Sequence, residues 1–567
     1  MNVIFLTVEA LRADRSSVNG YIRPTTPNLE RLASRGINCT QAVAPGGFTN
    51  ICFPSIMTSS KPLSYGGYDT GAKGRPSTVF EKVHSAGYKV SAYCTNHWVC
   101  RYHGYGDYID NEHLLFVLNT LPGMALTLFR STLALWHSGK ITDAEIVEKA
   151  KITIGVFFDH MIDYCRERKT RMPEDVACYG GERFITDGYD FDKIILLVKQ
   201  HREEFHRDIL SYVQRHFYYI PKPHQWIARE WRYKRTVRAL FRAGLAVVLE
   251  RLGGLVDANI SKFAHYRQKR YVDSAAVTNQ IISKIRNWDG ESPFFIWSHF
   301  FDPHIPYCPG TGPNWYLQTP KYLASLGYSH DIDISVAIRS KPKTDEEWHT
   351  WSALYDSAIL YTDQQIGRIV EALEERKILD NTLLVVCGDH GEELGEHGDI
   401  SHHGYLYSHS VRVPLLFSNS NLISGVNSHI VELTDVVPTI TAILGIPPSP
   451  QWVGSPVWDD TVKSRNEVVL ESFFGGNCVF DMRPLYMAAR DKRWNFMWKE
   501  FRDPLDKLSP CGLQLYDHAN DALEQINLYS KSHPEVRRLS IAIVRRLREI
   551  HEISEDRINK AFPGISV

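Results

Sequence analysis

Residues 381–414 read NTLLVVCGDHGEELGEHGDISHHGYLYSHSVRVP. A short apolar run, Leu383, Leu384, Val385, Val386 and Cys387, stops there at Gly388, Asp389, His390 and Gly391. A carboxylate oxygen beside an imidazole nitrogen is a common ligand pair for divalent cations. Further histidines follow, among them those at 397, 402 and 403. A lone Asp-His pair in a surface loop would mean little. This density of His, Asp and Glu between two apolar runs points to a metal centre. A second acid, Glu9, closes the apolar run NVIFLTV at residues 2–8 and is equally well placed to be a ligand. Residues 44–59 (APGGFTNICFPSIMTS) bring Thr49 and Cys52 just after a Pro-Gly-Gly turn, at the start of an apolar segment. A hydroxyl or thiol at a helix start lies in a positive field that favours an anionic substrate. A divalent cation would also lower the pKa of such a hydroxyl and make it a nucleophile.

The elements that must hold these groups are legible as well. A short apolar run ended by glycine predicts a buried strand of a parallel sheet. Asp389 and His390 then fall at its carboxyl end, where open α/β sheets bind ligands. Strands of the same kind are predicted at 2–8, 87–94 and 293–298. Asn96, just past the strand at 87–94, is either a substrate contact or a simple turn residue. His299 continues the strand pattern of 293–298 and reads as a packed core histidine. Helices are predicted at 30–35, 274–287 and 355–376. The alternation of strand and helix implies right-handed crossovers. The apolar stretch 114–136 is interrupted by Pro122 and Arg130, so it reads as a buried or interfacial helix rather than a membrane span.

A chain of 567 residues calls for two domains, or one large domain with insertions. Lys and Arg total 64 against 65 Asp and Glu, which removes any global bias toward nucleic acid. Ten cysteines without a Cys-x-x-Cys pair argue against a disulfide scaffold and for reduced thiols. With no signal-peptide pattern at residue 1, the expected location is cytoplasmic. Residues 229–251 carry seven Lys or Arg against two Glu, interleaved with Leu, Val and Trp. Such a run could lie on an anionic lipid surface or face a polyanion, but a solvated helix packed on the domain is the preferred reading.

Several segments together resemble the sulfatase family of the alkaline phosphatase superfamily. They are DHGEELGEHG with the following HG, LY and RVPL, the opening strand with Glu9 and LRAD, TPNLERLASRG, and HFFDPHIPY at 299–307. The resemblance covers residues 1–110 and 272–530. It implies an α/β fold with a mostly parallel central sheet flanked by helices. The catalytic domain would span 1–450, with a helical insertion at about 112–270, and a smaller α+β subdomain would span 451–567. It also implies a centre of Glu9, Thr49, Asp389 and His390 around one divalent metal ion (Zn, Mn, Ca or Mg), a second ion being an open alternative. His304 and His403 would bind the transferred group and protonate the leaving oxygen, with Asn96 as a further substrate contact. The family usually has Asp where Glu9 stands; Glu lengthens the reach by one methylene.

The nucleophile divides two readings. Cys52 in Cys-Phe-Pro-Ser-Ile resembles the signature whose Cys becomes formylglycine, but Ile56 replaces the anion-binding Arg. Thr49 stands nine residues before Thr58 of Ile-Met-Thr-Ser, the spacing of the family's nucleophile to its closing Leu-Leu-Thr-Gly. In that register Phe53 takes the Arg position. Phosphoethanolamine transferases and lipoteichoic acid synthases are similar in pairing an unmodified Thr with a Glu ligand. Thr49 is therefore the favoured nucleophile and Cys52 a packing thiol. The implied substrate is an anionic phosphate or sulfate ester of a glycan, a lipid head group or a small alcohol. No nucleic-acid partner is expected, and the insertion could touch a membrane surface. A sulfatase using modified Cys52 and an inactive polyanion-binding member are the alternatives.

Overall fold

The computed structural model describes residues 1–116, 141–178, 190–216, 272–305, 307, 315–328, 344–402, 404–473, 485–500, 512–551 and 553–565, with isolated positions at 121, 125, 129, 132, 133, 135, 136, 139 and 342. The central sheet has eight strands: β1 (Asn2–Val8), β2 (Gly36–Cys39), β3 (Lys89–Cys94), β4 (Asn111–Leu114), β5 (Phe294–Phe300), β6 (Thr382–Gly388), β7 (Leu415–Ser418) and β8 (Gly425–Asn427). Their spatial order is β8-β2-β7-β6-β1-β5-β3-β4. Strand β7 runs antiparallel to both neighbours, and the other five pairings are parallel. This is the mostly parallel α/β sheet that the sequence implies.

Every residue of β1, β5 and β6 is buried. Continuous apolar runs, without polar alternation, are what strands covered on both faces require. Side chains of β1 alternate between two clusters. Ile4, Leu6 and Val8 pack with the helices α2 (Ser274–Arg286) and α3 (Asp345–Glu375), and Val3 and Phe5 pack with α1 (Thr49–Thr58). Helix α3 begins ten residues before the predicted start. Thr344 caps it by accepting from Glu347 N, and Asp345, Glu346 and Glu347 favour its positive end.

Register sets the site. Val8 is level with Phe300 of β5 and Gly388 of β6. Glu9 and Asp389 therefore leave the sheet at one edge, with His299 one residue short of it.

An antiparallel sheet follows: β9 (Val468–Phe473), β10 (Leu485–Arg490), β11 (Trp494–Lys499) and β12 (Gly512–Asp517), covered by α4 (Pro534–Arg548). Leu485, Met487, Phe496, Leu539 and Ile543 share one hydrophobic cluster with Val3 and Phe5, so the core of this unit is continuous with that of the main sheet. The described residues between 141 and 216 are mostly helical, at Asp143–Ala150, Val156–Cys178, Phe191–Arg207 and Ile209–His216. Arg101 ties this segment to the sheet by bonding Glu112, Asp163 and Glu167. The basic run 229–251 lies outside the described residues. Within 114–136, Leu121, Phe129 and Leu133 are buried. Among the described residues no helix is long and apolar enough to cross a membrane.

Candidate active site

Glu9 is the centre of a buried constellation. Its Oε1 accepts from Thr49 Oγ1 at 2.6 Å and lies 3.0 Å from His390 Nε2. The same nitrogen is 3.3 Å from Thr49 Oγ1. The other carboxylate oxygen, Oε2, accepts from Asn96 Nδ2 at 3.0 Å and lies 2.6 Å from His299 Nε2. Asp389 Oδ1 accepts from the backbone of Ala10 (3.1 Å) and of His390 (2.8 Å). Ala10 itself sits at φ +55°, and its carbonyl accepts from Tyr355 Oη of α3. The backbone between the two acids is thus fixed by the site and by α3 together. A tight approach fixes the far side: a Cβ on Gly391 would lie 1.8 Å from the His409 carbonyl, so only glycine fits there.

Thr49 is the first residue of α1, and no side chain caps that helix through Phe48. Cys52, nearly one turn further in, is fully buried and its Sγ donates to Gly46 O at 3.3 Å. Burial, with Asp389 nearby, pushes its pKa well above the usual thiol range. Phe53 and Ile56, the two positions where an anion-binding Arg was sought, are both fully buried. Phe53 meets the His299 ring edge-on, with centroids 5.0 Å apart.

Of His397, His402 and His403, the described structure brings one to the centre. His402 has its ring 4.4 Å from that of His390 and 4.9 Å from that of His304. Its Nδ1 is 3.3 Å from Glu392 Oε2. His397 instead stacks on Tyr407, and His403 lies outside the described residues. His304 is partly exposed, and its Nδ1 donates to Ile305 O at 2.5 Å. Burial and then His402 lower its pKa, so near neutrality its Nε2 carries a lone pair rather than a proton.

The reading of His299 as only a core residue needs correcting: it is fully buried, yet it bonds Glu9 directly. Alternation along β5 could not reveal this, because the partner arrives from β1. Asn96 is also turned inward, with Nδ2 on Glu9 and Oδ1 accepting from Trp98 N at 3.0 Å.

The charges are finely opposed. Burial raises the Glu9 carboxyl, but hydrogen bonds from His299 and His390 outweigh it and leave its pKa well below the ordinary value. Burial raises Asp389 to about 6 despite His390. Burial alone would lower His390; Asp389 and Glu9 reverse this and raise it to about 9. Asp389 Oδ2 is buried without a hydrogen-bond partner. Ligand atoms of Glu9, His299 and Asp389 lie within 4.8 Å of one another, as do those of Glu9, His390 and His402. An unbonded carboxylate oxygen among hard oxygen and imidazole donors fits a divalent cation.

A mostly parallel sheet with acid, helix-start hydroxyl and Asp-His pair at its carboxyl edge defines the class as alkaline phosphatase-like. Solved structures agree on the fold. The phosphonate monoester hydrolase of Agrobacterium radiobacter superposes with a TM-score of 0.55 at 14% identity, covering 97% of this chain and 95% of that one. A protein solved with its substrate D-glucosamine-2-N,6-O-disulfate gives 0.54 at 14% identity, covering 99% of each. The family model described as Sulfatase matches residues 1–123 and 211–446, more than half of the chain, and the chain belongs to the sulfatase family. Among its relatives, an arylsulfatase of Clostridium perfringens is 22% identical over 88% of this chain and 85% of its own. A choline-sulfatase of Rhizobium meliloti is 27% identical over 53% of this chain, the match spanning 59% of that protein's length.

Proposed function

We propose that this chain hydrolyses anionic esters through a covalent ester on Thr49. The observation that carries the reading is the Thr49 hydroxyl, held 2.6 Å from Glu9 and 3.3 Å from His390 at a helix start that no side chain caps. The first-turn N–H groups of α1 and its positive end suit an anion lying against Thr49. Thr49 Oγ would attack phosphorus or sulfur, the bond to the ester oxygen would break, and the alcohol would leave with the proton that the Thr49 hydroxyl gives up. Water would then cleave the Thr49 ester, and His304 Nε2 is suited to take that water's proton. An acceptor alcohol in place of water would make the protein a transferase. Glu9, Asp389 and His390, with Thr49, would hold a divalent cation, which when bound would lower the hydroxyl's pKa and neutralise charge on the transferred group.

The names of the relatives favour sulfate esters, whereas an unmodified Thr nucleophile favours phosphate esters. Both are anionic esters of the same shape, and one experiment separates them. Nitrophenyl sulfate and a nitrophenyl phosphate diester are offered to chelator-stripped protein, with Zn, Mn, Ca or Mg restored singly. Turnover of either ester that returns with metal supports the reading. No turnover of either under any metal overturns it. That result would favour a second reading, an inactive anion-binding member, for which the buried apolar Phe53 and Ile56 in place of an arginine are the specific observation.

A further inference from the structure

We propose that His299 is a positioning residue that donates its Nε2–H to Glu9 Oε2 and, with Asn96, holds that carboxylate so that Oε1 faces Thr49 and His390. This rests on the metal centre of the preceding section.

The proton inventory fixes the direction of the bond. Trp297 Nε1, which can only donate, lies 3.2 Å from Thr7 Oγ1. The Thr7 hydroxyl therefore accepts there and has one proton of its own to give. Its two acceptors are His299 Nδ1 at 2.9 Å and Ser298 O at 3.3 Å. Whether that proton goes to Nδ1 or to Ser298 O, the Glu9 carboxylate on the other side of the ring can only accept. The ring's own proton then sits on Nε2, which faces Glu9 Oε2 at 2.6 Å. The opposite neutral tautomer would set a nitrogen lone pair against a carboxylate lone pair at that distance. Asn96 is oriented by the same logic. Its Oδ1 accepts from Trp98 N, so its Nδ2 is the atom that meets Oε2.

Oε2 thus receives two N–H donors while Oε1 meets Thr49 and His390. All five side chains are at most 5% exposed, so water cannot substitute for a lost donor. Phe53, edge-on to the His299 ring, limits rotation of that ring. The arrangement matters because a glutamate has one more rotatable bond than an aspartate, and its ligand oxygen is correspondingly harder to place. Groups that hydrogen-bond a ligating carboxylate commonly contribute 10- to 100-fold to metal affinity.

The test uses the full chain, stripped by chelator and titrated calorimetrically with Zn(II) and Mn(II), with melting curves to verify folding. His299→Leu should weaken binding by about 10- to 100-fold. His299→Gln, which keeps an N–H at nearly the same reach, should remain within about threefold of wild type, a rescue that loss of packing alone would not give. Equal losses in the two variants would make His299 a metal ligand and overturn the proposal. So would His299→Leu binding as tightly as wild type. Where His299→Leu does not fold, Asn96→Ala removes the other donor to the same oxygen; unchanged affinity there would also overturn the clamp. Asp389→Ala separates the two levels: metal retained in it refutes the centre itself, and metal lost in it with His299→Leu unaffected refutes only the role of His299.

Discussion

Replacing Thr49 by Ala removes one oxygen from the site and leaves Glu9 with three partners, Asn96, His299 and His390. No buried charge is orphaned. The stability loss should therefore be that of one hydrogen bond to a charged acceptor, about 2 kcal/mol. Turnover should fall by about 10³-fold or more, because losing a nucleophile removes the covalent route altogether. Cys52→Ala should do the reverse. It deletes one buried heavy atom with a single weak hydrogen bond, costing about 1 kcal/mol of stability with activity retained. The raised pKa of Cys52 keeps it a thiol, so it should resist alkylation in the folded protein. Thr49→Ser keeps the oxygen and should stay within about tenfold of wild type. Initial rates on nitrophenyl phosphate diester and sulfate, with melts and intact mass spectrometry, measure all of this. An active Thr49→Ala variant would refute the reasoning. So would a native mass lowered by loss of sulfur at Cys52, since that is conversion to formylglycine.

Asp389→Ala should lose metal and activity together; elemental analysis of the dialysed variant reads the first, and a full complement of metal would count decisively against the site. Phe53→Arg should not restore a sulfatase-like anion site, because the position is fully buried between His299 and Trp297. An unpaired charge there should cost about 3 kcal/mol or more, read as a lowered melting point, and a stable, more active variant would contradict this. Glu393 gives a pH dependence. Burial raises its pKa to about 7, although its Oε1 accepts from His397 N and Asp399 N. The unfolded chain then releases that proton at lower pH than the fold does, so stability is lost as pH rises from about 4.5 to 7. Glu393→Gln should gain about 1–2 kcal/mol relative to wild type at pH 8 and nothing at pH 4, by denaturant melts; an equal gain at both would sink the assignment. Neutralising Arg232 and Arg238 of the basic run should spare small-ester turnover and weaken binding to anionic vesicles, and unchanged binding would leave that run as scaffold.

What was legible in the sequence is what depends on one strand at a time. The runs ending at Val8 and Gly388 are buried on both faces, so unbroken apolarity announced them, and the acids that follow had to lie at the sheet edge. Thr49 was legible through its distance to Thr58 and the turn before it. His299 was not, because a histidine inside an apolar strand looks the same whether its ring meets leucine or a carboxylate. Only the pairing of β1 with β5, which sets Thr7 level with His299, brings Glu9 over that ring. His402 was hidden for another reason. In a loop no periodicity says which of two adjacent histidines points inward, and its partner Glu392 lies ten residues away across the turn. The early start of α3 depended on Thr344, a capping residue just outside the amphipathic pattern that located the helix.

The departures from the family pattern form one physical unit. Two buried carboxylates in one site, Glu9 and Asp389, cannot both remain ionised without compensating positive charge. His390 supplies part of it, as its raised pKa records. An arginine at position 53 would supply more, but it would lie where Phe53 now touches the His299 ring, and a guanidinium there would compete with His299 for Glu9. With an aromatic edge in its place, the His299 ring keeps its place on Glu9 Oε2 and Oε1 stays directed at Thr49. The longer acid, the missing arginine and the proposed role of Thr49 are thus mutually consistent. Changing any one of them alone toward the family's usual residue would leave the others wrongly placed.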